Sequence, residues 1–195
     1  MTAALVHAAA LTGLPLVTLG GEREALIKDV VFDRGTGQVA GFTLNNPGLL
    51  SRSRKDALPW DAVHGFGDVA LTIVDTSVLV PLEEVAPAAE RDGADVLAGQ
   101  VLTDGGTELG TVVDVILDLS ARPPDVVGYE IEPGPALPGH GHRVLVPLPA
   151  TGAVSGERLI VPAAATEFVA DDLGVFAVTV QAFRNRPASV TEGQN

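Results

Sequence analysis

Apolar residues along the chain fall in short runs that alternate with polar ones. In Asp29-Val30-Val31-Phe32-Asp33 a strand's two-residue period sends Val30 and Phe32 to one face and Asp29, Val31 and Asp33 to the other. Asp114-Val115-Ile116-Leu117-Asp118 has the same pattern. The Val30/Phe32 face is the natural core side, and the apolar middle of the aspartate side implies that both faces are partly covered. With 22 glycines and 14 prolines punctuating these runs, tight turns are frequent and long helices are not expected. The expected fold class is all-β.

The runs repeat. Leu16-Val17-Thr18-Leu19-Gly20-Gly21 corresponds to Val101-Leu102-Thr103-Asp104-Gly105-Gly106 at an offset of 85, and the two aspartate-bounded strands lie at the same offset (101 − 16 and 114 − 29). Two features locked in one register argue for duplication. Further on the register drifts, as loops absorb insertions. Val39-Ala40-Gly41-Phe42-Thr43-Leu44 answers to Val126-Val127-Gly128-Tyr129-Glu130-Ile131, and Leu58-Pro59 to Val146-Pro147. Each copy reads as a small closed barrel or sandwich. The expected division is a first domain at 1–88, a second at 89–183 and a flexible tail at 184–195, with the boundary in the Pro/Ala-rich stretch Val85–Gly93.

Composition sharpens this picture. Residues are 46% hydrophobic but only 4% aromatic, so the core must be built from Val, Leu, Ile and Ala. Twelve basic against 25 acidic residues give a net charge of −13, which disfavours nucleic acid as a partner. The absence of cysteine excludes disulfides, thiolate metal sites and thiol nucleophiles. The apolar start has no preceding Lys or Arg and no run approaches a membrane span, so a soluble cytoplasmic protein is expected.

Three segments carry a family likeness: Leu11-Thr12-Gly13-Leu14-Pro15-Leu16-Val17, the Asp29–Asp33 strand with its Thr36-Gly37-Gln38-Val39 turn, and Leu58-Pro59-Trp60-Asp61-Ala62-Val63. Together they resemble the PRC-barrel family, across residues 8–84 and more weakly across 95–168. The resemblance implies two consecutive, small, strongly bent β-barrels with short helical turns and a non-catalytic role in contact with another macromolecule.

Candidate chemistry is sparse. Asp29 and Asp33, like Asp114 and Asp118, stand about 13 Å apart along one strand, too far for paired carboxylates to cooperate. Asp33 and Asp118 are expected to accept N–H groups in turns. His140 and His142 flank one glycine and would present two imidazoles on one side of an extended segment, a candidate metal site if Glu130 or Glu132 came near. The alternative there is a flexible hairpin loop. Arg52, Arg54 and Lys55 concentrate charge in one loop of the first copy and are candidate partner contacts, against the alternative of a solvated loop. No equivalent cluster is expected in the second copy. Trp60 is expected to pack in the barrel. With no nucleophile motif and no phosphate-cradling loop, no catalytic residue and no cofactor are assigned. The expected function is a non-enzymatic adaptor that offers a strand edge or apolar patch to a protein partner or a second copy of itself. The alternatives are a metal or small-ligand sensor using His140 and His142, and an accessory factor of ribosome assembly or cell division acting through a protein partner.

Overall fold

The computed structural model describes residues 4–33, 35–48, 52–85, 96–137, 142–149 and 158–186. The first half lays down β1 (Leu5–His7), β2 (Pro15–Thr18), β3 (Arg23–Phe32), β4 (Val39–Asn45), β5 (Ser53–Pro59), β6 (Gly65–Phe66), β7 (Leu71–Ile73) and β8 (Val80–Pro81), followed by a single helical turn, α1 (Leu82–Val85). The second half contributes β9 (Gln100–Thr103), β10 (Glu108–Asp118), β11 (Asp125–Pro133), β12 (Val144–Pro147), β13 (Arg158–Val161) and a helix, α2 (Leu173–Arg184). The all-β expectation holds. One sheet runs β6-β7-β2-β3-β4-β5-β8 and the other β12-β11-β10-β9-β13, with β1 added alongside β10. No helix of the described residues is long and apolar enough to cross a membrane.

The pairings of the first sheet recur in the second. Leu16 faces Ala25 as Val101 faces Gly110, and Val30 faces Phe42 as Val115 faces Tyr129. Leu16 runs parallel to Leu71 as Val101 does to Leu159, and Gly41 faces Pro59 as Gly128 faces Pro147. Even the irregularities coincide: β3 slips register between Ile27 and Asp29 and again between Val31 and Phe32, while β10 slips between Val112 and Asp114 and between Ile116 and Leu117. A slip of one residue exchanges the faces of everything beyond it. Ala25 and Ile27 are therefore core residues at odd positions, whereas past the slip Val30 and Phe32 pack against the core from even ones. The expected core face is right for its own segment, but the parity does not carry along the whole strand.

The halves do not keep to their own sheets. β1 pairs antiparallel with β10 of the second sheet, Leu5 facing Asp118, Val6 facing Leu117 and His7 facing Ile116. One continuous apolar cluster joins Leu16, Phe42, Trp60 and Leu71 of the first half to Val101, Tyr129, Val146 and Leu159 of the second. Burying so much apolar surface in common is the main stabilising term.

The outer face of each β-sheet is closed at a glycine. A Cβ on Gly41 would run into the Leu58 carbonyl and the Val85 side chain, and one on Gly128 into the Val146 carbonyl and Phe176. The equivalent strands thus each leave a backbone-deep notch that a side chain from the following helix fills. Around Phe176 a second apolar cluster forms from Ile116, Val127, Leu145, Ala170 and Val180. This accounts for the covered aspartate face of β10.

α2 is the main departure from expectation, which allowed only short helical turns. Asp172 caps it by accepting the Val175 N–H at 2.9 Å, and Phe176, Val180 and Phe183 recur on one buried face. Arg184 was expected in a flexible tail. Instead it is the last residue of α2, bonded through its guanidinium to Asp125 at 2.6 Å and to the carbonyls of Leu148 and Val126.

Candidate functional site

β5 enters the first sheet from the basic loop, and only its second part is paired on the outer side: Asp56 faces Pro81 and Ala57 faces Val80. Ser53, Arg54 and Lys55 have no strand partner on that side among the described residues. Their edge borders an open groove of about 1150 Å³ whose other wall includes Leu79, Val80 and Leu82. A strand edge without a strand partner among the described residues, beside Leu79, Val80, Leu82 and Glu83, is a template for one more extended segment.

The three basic residues here have different roles. The Arg54 Nε and one NH2 nitrogen donate to the two carboxylate oxygens of Asp56 at 2.8 and 2.7 Å, while the other donates to Glu24 at 3.0 Å. With its side chain only 18% exposed, Arg54 is a structural clamp between β5 and β3. Its hydrogen bond is the largest cause holding the Asp56 carboxyl below the usual carboxylate range. Arg52 and Lys55 are exposed and form the cationic rim.

The second half does have an equivalent of this loop. The pairing of Gly41 with Pro59 and of Gly128 with Pro147 relates β5 to β12 by 88 residues, which sets Arg52, Arg54 and Lys55 against His140, His142 and Arg143. His140 lies outside the described residues. The His142 Nε2 lies 3.2 Å from Asp171, with both side chains exposed, and Arg143 reaches Glu130 at 3.6 Å and Glu132 at 3.9 Å. The two segments singled out by sequence are thus one structural position seen twice.

The aspartates behave as expected in the turns. Asp33 accepts the N–H and hydroxyl of Thr36 at 2.7 and 2.9 Å, and Asp118 accepts those of Ser120 at 2.9 and 2.6 Å. The Thr36 N–H is the main reason the Asp33 carboxyl sits below its ordinary value. Trp60 is buried, its ring 6.2 Å from those of both Phe42 and Phe66. The other pair of aspartates diverges. Asp29 is exposed beside Thr43, whereas Asp114 is buried beneath His7 and faces Glu130 across the strand pair. Sequence alone missed this grouping, because His7 reaches it only through the crossing of β1.

Comparison with known proteins agrees with the architecture of the first half: residues 5–80 match the family model of the PRC-barrel domain. No curated protein matches the chain.

Proposed function

We propose that the protein is a tandem of two PRC-barrel units acting as a non-catalytic protein-binding module, and that it docks an extended, acidic segment of a partner protein along the outer edge of β5. The carrying observation is the groove itself, where the backbone of Ser53–Lys55 lacks a strand partner among the described residues, beside Leu79, Val80 and Leu82 and under the exposed charges of Arg52 and Lys55. Backbone pairing supplies affinity in such a mode, and the flanking side chains supply selectivity. The tandem reading is supported by the recurrence of registers and bulges between the two sheets. The non-catalytic reading is supported by the turn roles of Asp33 and Asp118.

A photo-crosslinking residue placed at Lys55 in the native host tests this reading, with the exposed Ile160 of β13 as the comparison position. The expected result is a discrete adduct from position 55, joined through an acid-rich peptide, that is lost with Arg52→Glu and is not formed from position 160. Absence of an adduct from position 55, or equal adducts from both positions, would end the proposal.

A further inference from the structure

Where β1 crosses to the second sheet, its last residue meets a pair of carboxylates. Asp114 on β10 and Glu130 on β11 are direct cross-strand neighbours, so their side chains leave the sheet on the same face. Asp114 has a side chain only 10% exposed and Glu130 only 20%. Two adjacent, largely desolvated carboxylates repel one another unless a cation lies between them. Arg143 approaches Glu130 at 3.6 Å, but among the described residues no arginine or lysine pairs with Asp114.

The geometry around Asp114 is divided between its two oxygens. Oδ1 accepts the backbone N–H groups of Ala9 at 3.2 Å and Val115 at 2.7 Å, which fixes the carboxylate plane. Oδ2 is left facing the His7 Nδ1 at 3.4 Å. That separation is long for an N–H···O hydrogen bond, whose usual range is about 2.7–3.2 Å. It is the separation of two ligand atoms on one tetrahedral zinc ion, since bonds of about 2.1 Å at tetrahedral angles put neighbouring ligands about 3.4 Å apart. An oxygen of Glu130 completes a set whose atoms all lie within 4.8 Å of one another, the only such set among the described residues.

The first half shows the same fold position without these ligands. Asp29 stands where Asp114 does and Thr43 where Glu130 does, and the Thr43 hydroxyl bonds to Asp29 in the open. The second half has exchanged a neutral hydroxyl for a second carboxylate, buried the first, and received an imidazole from the other half of the chain.

We propose that His7, Asp114 and Glu130 form a binding site for a single divalent transition-metal ion of the zinc type, with a fourth position open to water beside the partly exposed His7. One imidazole and two carboxylates suit Zn²⁺ and disfavour Mg²⁺ and Ca²⁺, which prefer oxygen alone. Bound there, the ion would pin β1 to β10 and β11. The site lies on the second sheet and does not depend on the partner-docking reading of β5.

Calorimetric titration of the metal-stripped full chain with Zn²⁺ tests it, alongside Co²⁺ followed through its visible d–d bands. One ion per chain is expected, with a low-symmetry tetrahedral Co²⁺ spectrum. His7→Ala and Glu130→Gln should each weaken binding by at least about tenfold, while His142→Ala should leave it unchanged. In the unsubstituted protein, ¹⁵N imidazole resonances should show His7 as the histidine whose signals move at one equivalent of Zn²⁺. The proposal is overturned by the absence of binding, by affinity that survives His7→Ala or is abolished by His142→Ala, or by a titration that leaves the His7 imidazole unmoved. The last measurement decides the matter even if the variants fail to fold.

Discussion

Gln38 and Asp125 face each other in an isolated antiparallel bridge between the two halves. They are 87 residues apart, the same offset that relates β4 to β11, so each is the counterpart of the other. The flanking bonds obey the same exchange: the Val39 N–H donates to the Pro124 carbonyl at 2.9 Å and the Val126 N–H to the Gly37 carbonyl at 3.0 Å. A local two-fold axis therefore runs between Gln38 and Asp125. The contact is isologous, of the kind that joins two identical subunits in a symmetric dimer, here built into one chain.

A shared core across that axis predicts a single cooperative unfolding transition. Trp60, the sole tryptophan, reports on the first half, so Leu159→Ala in β13 should lower the urea midpoint read by Trp60 fluorescence. The expected cost is about 2–5 kcal/mol for a buried leucine. An unshifted Trp60 transition alongside a biphasic circular-dichroism curve would show that the halves unfold separately.

Tyr129 occupies the second-half position of Phe42, fully buried, and its hydroxyl has no hydrogen-bond partner among the described residues. Tyr129→Phe should stabilise the protein by about 1–2 kcal/mol. Burial also raises the phenol's ionisation above its ordinary value, so the unfolded chain loses this proton before the folded one does. The contribution to stability is whole below about pH 10, where a free tyrosine ionises, and is lost as pH rises towards the folded-state value. Stability measured against pH should fall less steeply above pH ~10 in Tyr129→Phe than in the parent.

Ala98 holds a left-handed backbone, φ 64°, at the second-half position of Gly13, φ 85°. Both N–H groups donate to equivalent carbonyls, Ala98 to Val112 at 2.9 Å and Gly13 to Ile27 at 2.8 Å, so the turn demands the conformation in each copy. An alanine there is strained by about 1–2 kcal/mol, against the smaller entropic cost of glycine. Ala98→Gly should raise the unfolding free energy by about 0.5–1 kcal/mol, measured by denaturant titration. A loss of stability would contradict the turn geometry.

Arg54 and Lys55 are adjacent in sequence and should separate in effect. Arg54→Gln removes the clamp on Asp56 and Glu24 and should destabilise the fold. Because the Asp56 carboxyl is held low, its contribution is present above the unfolded value near pH ~4 and is lost as pH falls through the folded one. The acid limb of the stability curve should therefore flatten in Arg54→Gln. Lys55→Glu should leave that curve within about 0.5 kcal/mol of the parent while weakening capture of the acidic partner segment by a crosslinking residue placed at Ser53 instead.

Most of the β architecture was legible because strand alternation and Gly-Gly turns are local signals. Leu16–Gly21 against Val101–Gly106 pointed to the strand registers that recur between the two sheets, and Asp33 and Asp118 were recognisable as turn acceptors from position alone. The bulges were not legible, since nothing in Ile27-Lys28-Asp29 announces an extra residue, and yet that residue decides which later side chains face the core. α2 was hidden by composition: Val175, Val178, Thr179 and Val180 are β-branched, and tertiary packing of Phe176 and Phe183 overrides their strand preference. The His7–Asp114–Glu130 grouping was hidden by distance. Three residues of β1 carry almost no periodic signal, and their pairing with a strand more than a hundred positions away is set by the packing of the two halves.

That crossing strand also governs how copies of the chain can exchange. β1 completes an edge of β10 from the other half of the chain, so withdrawing it bares a row of hydrogen-bonding groups on β10. The β1 of another molecule fits that edge as well as the resident one does, with no new surface required. Were two chains to trade β1, each would close the other's second sheet, and the Leu5-Val6-His7 segment would become the exchanged arm of a domain-swapped pair.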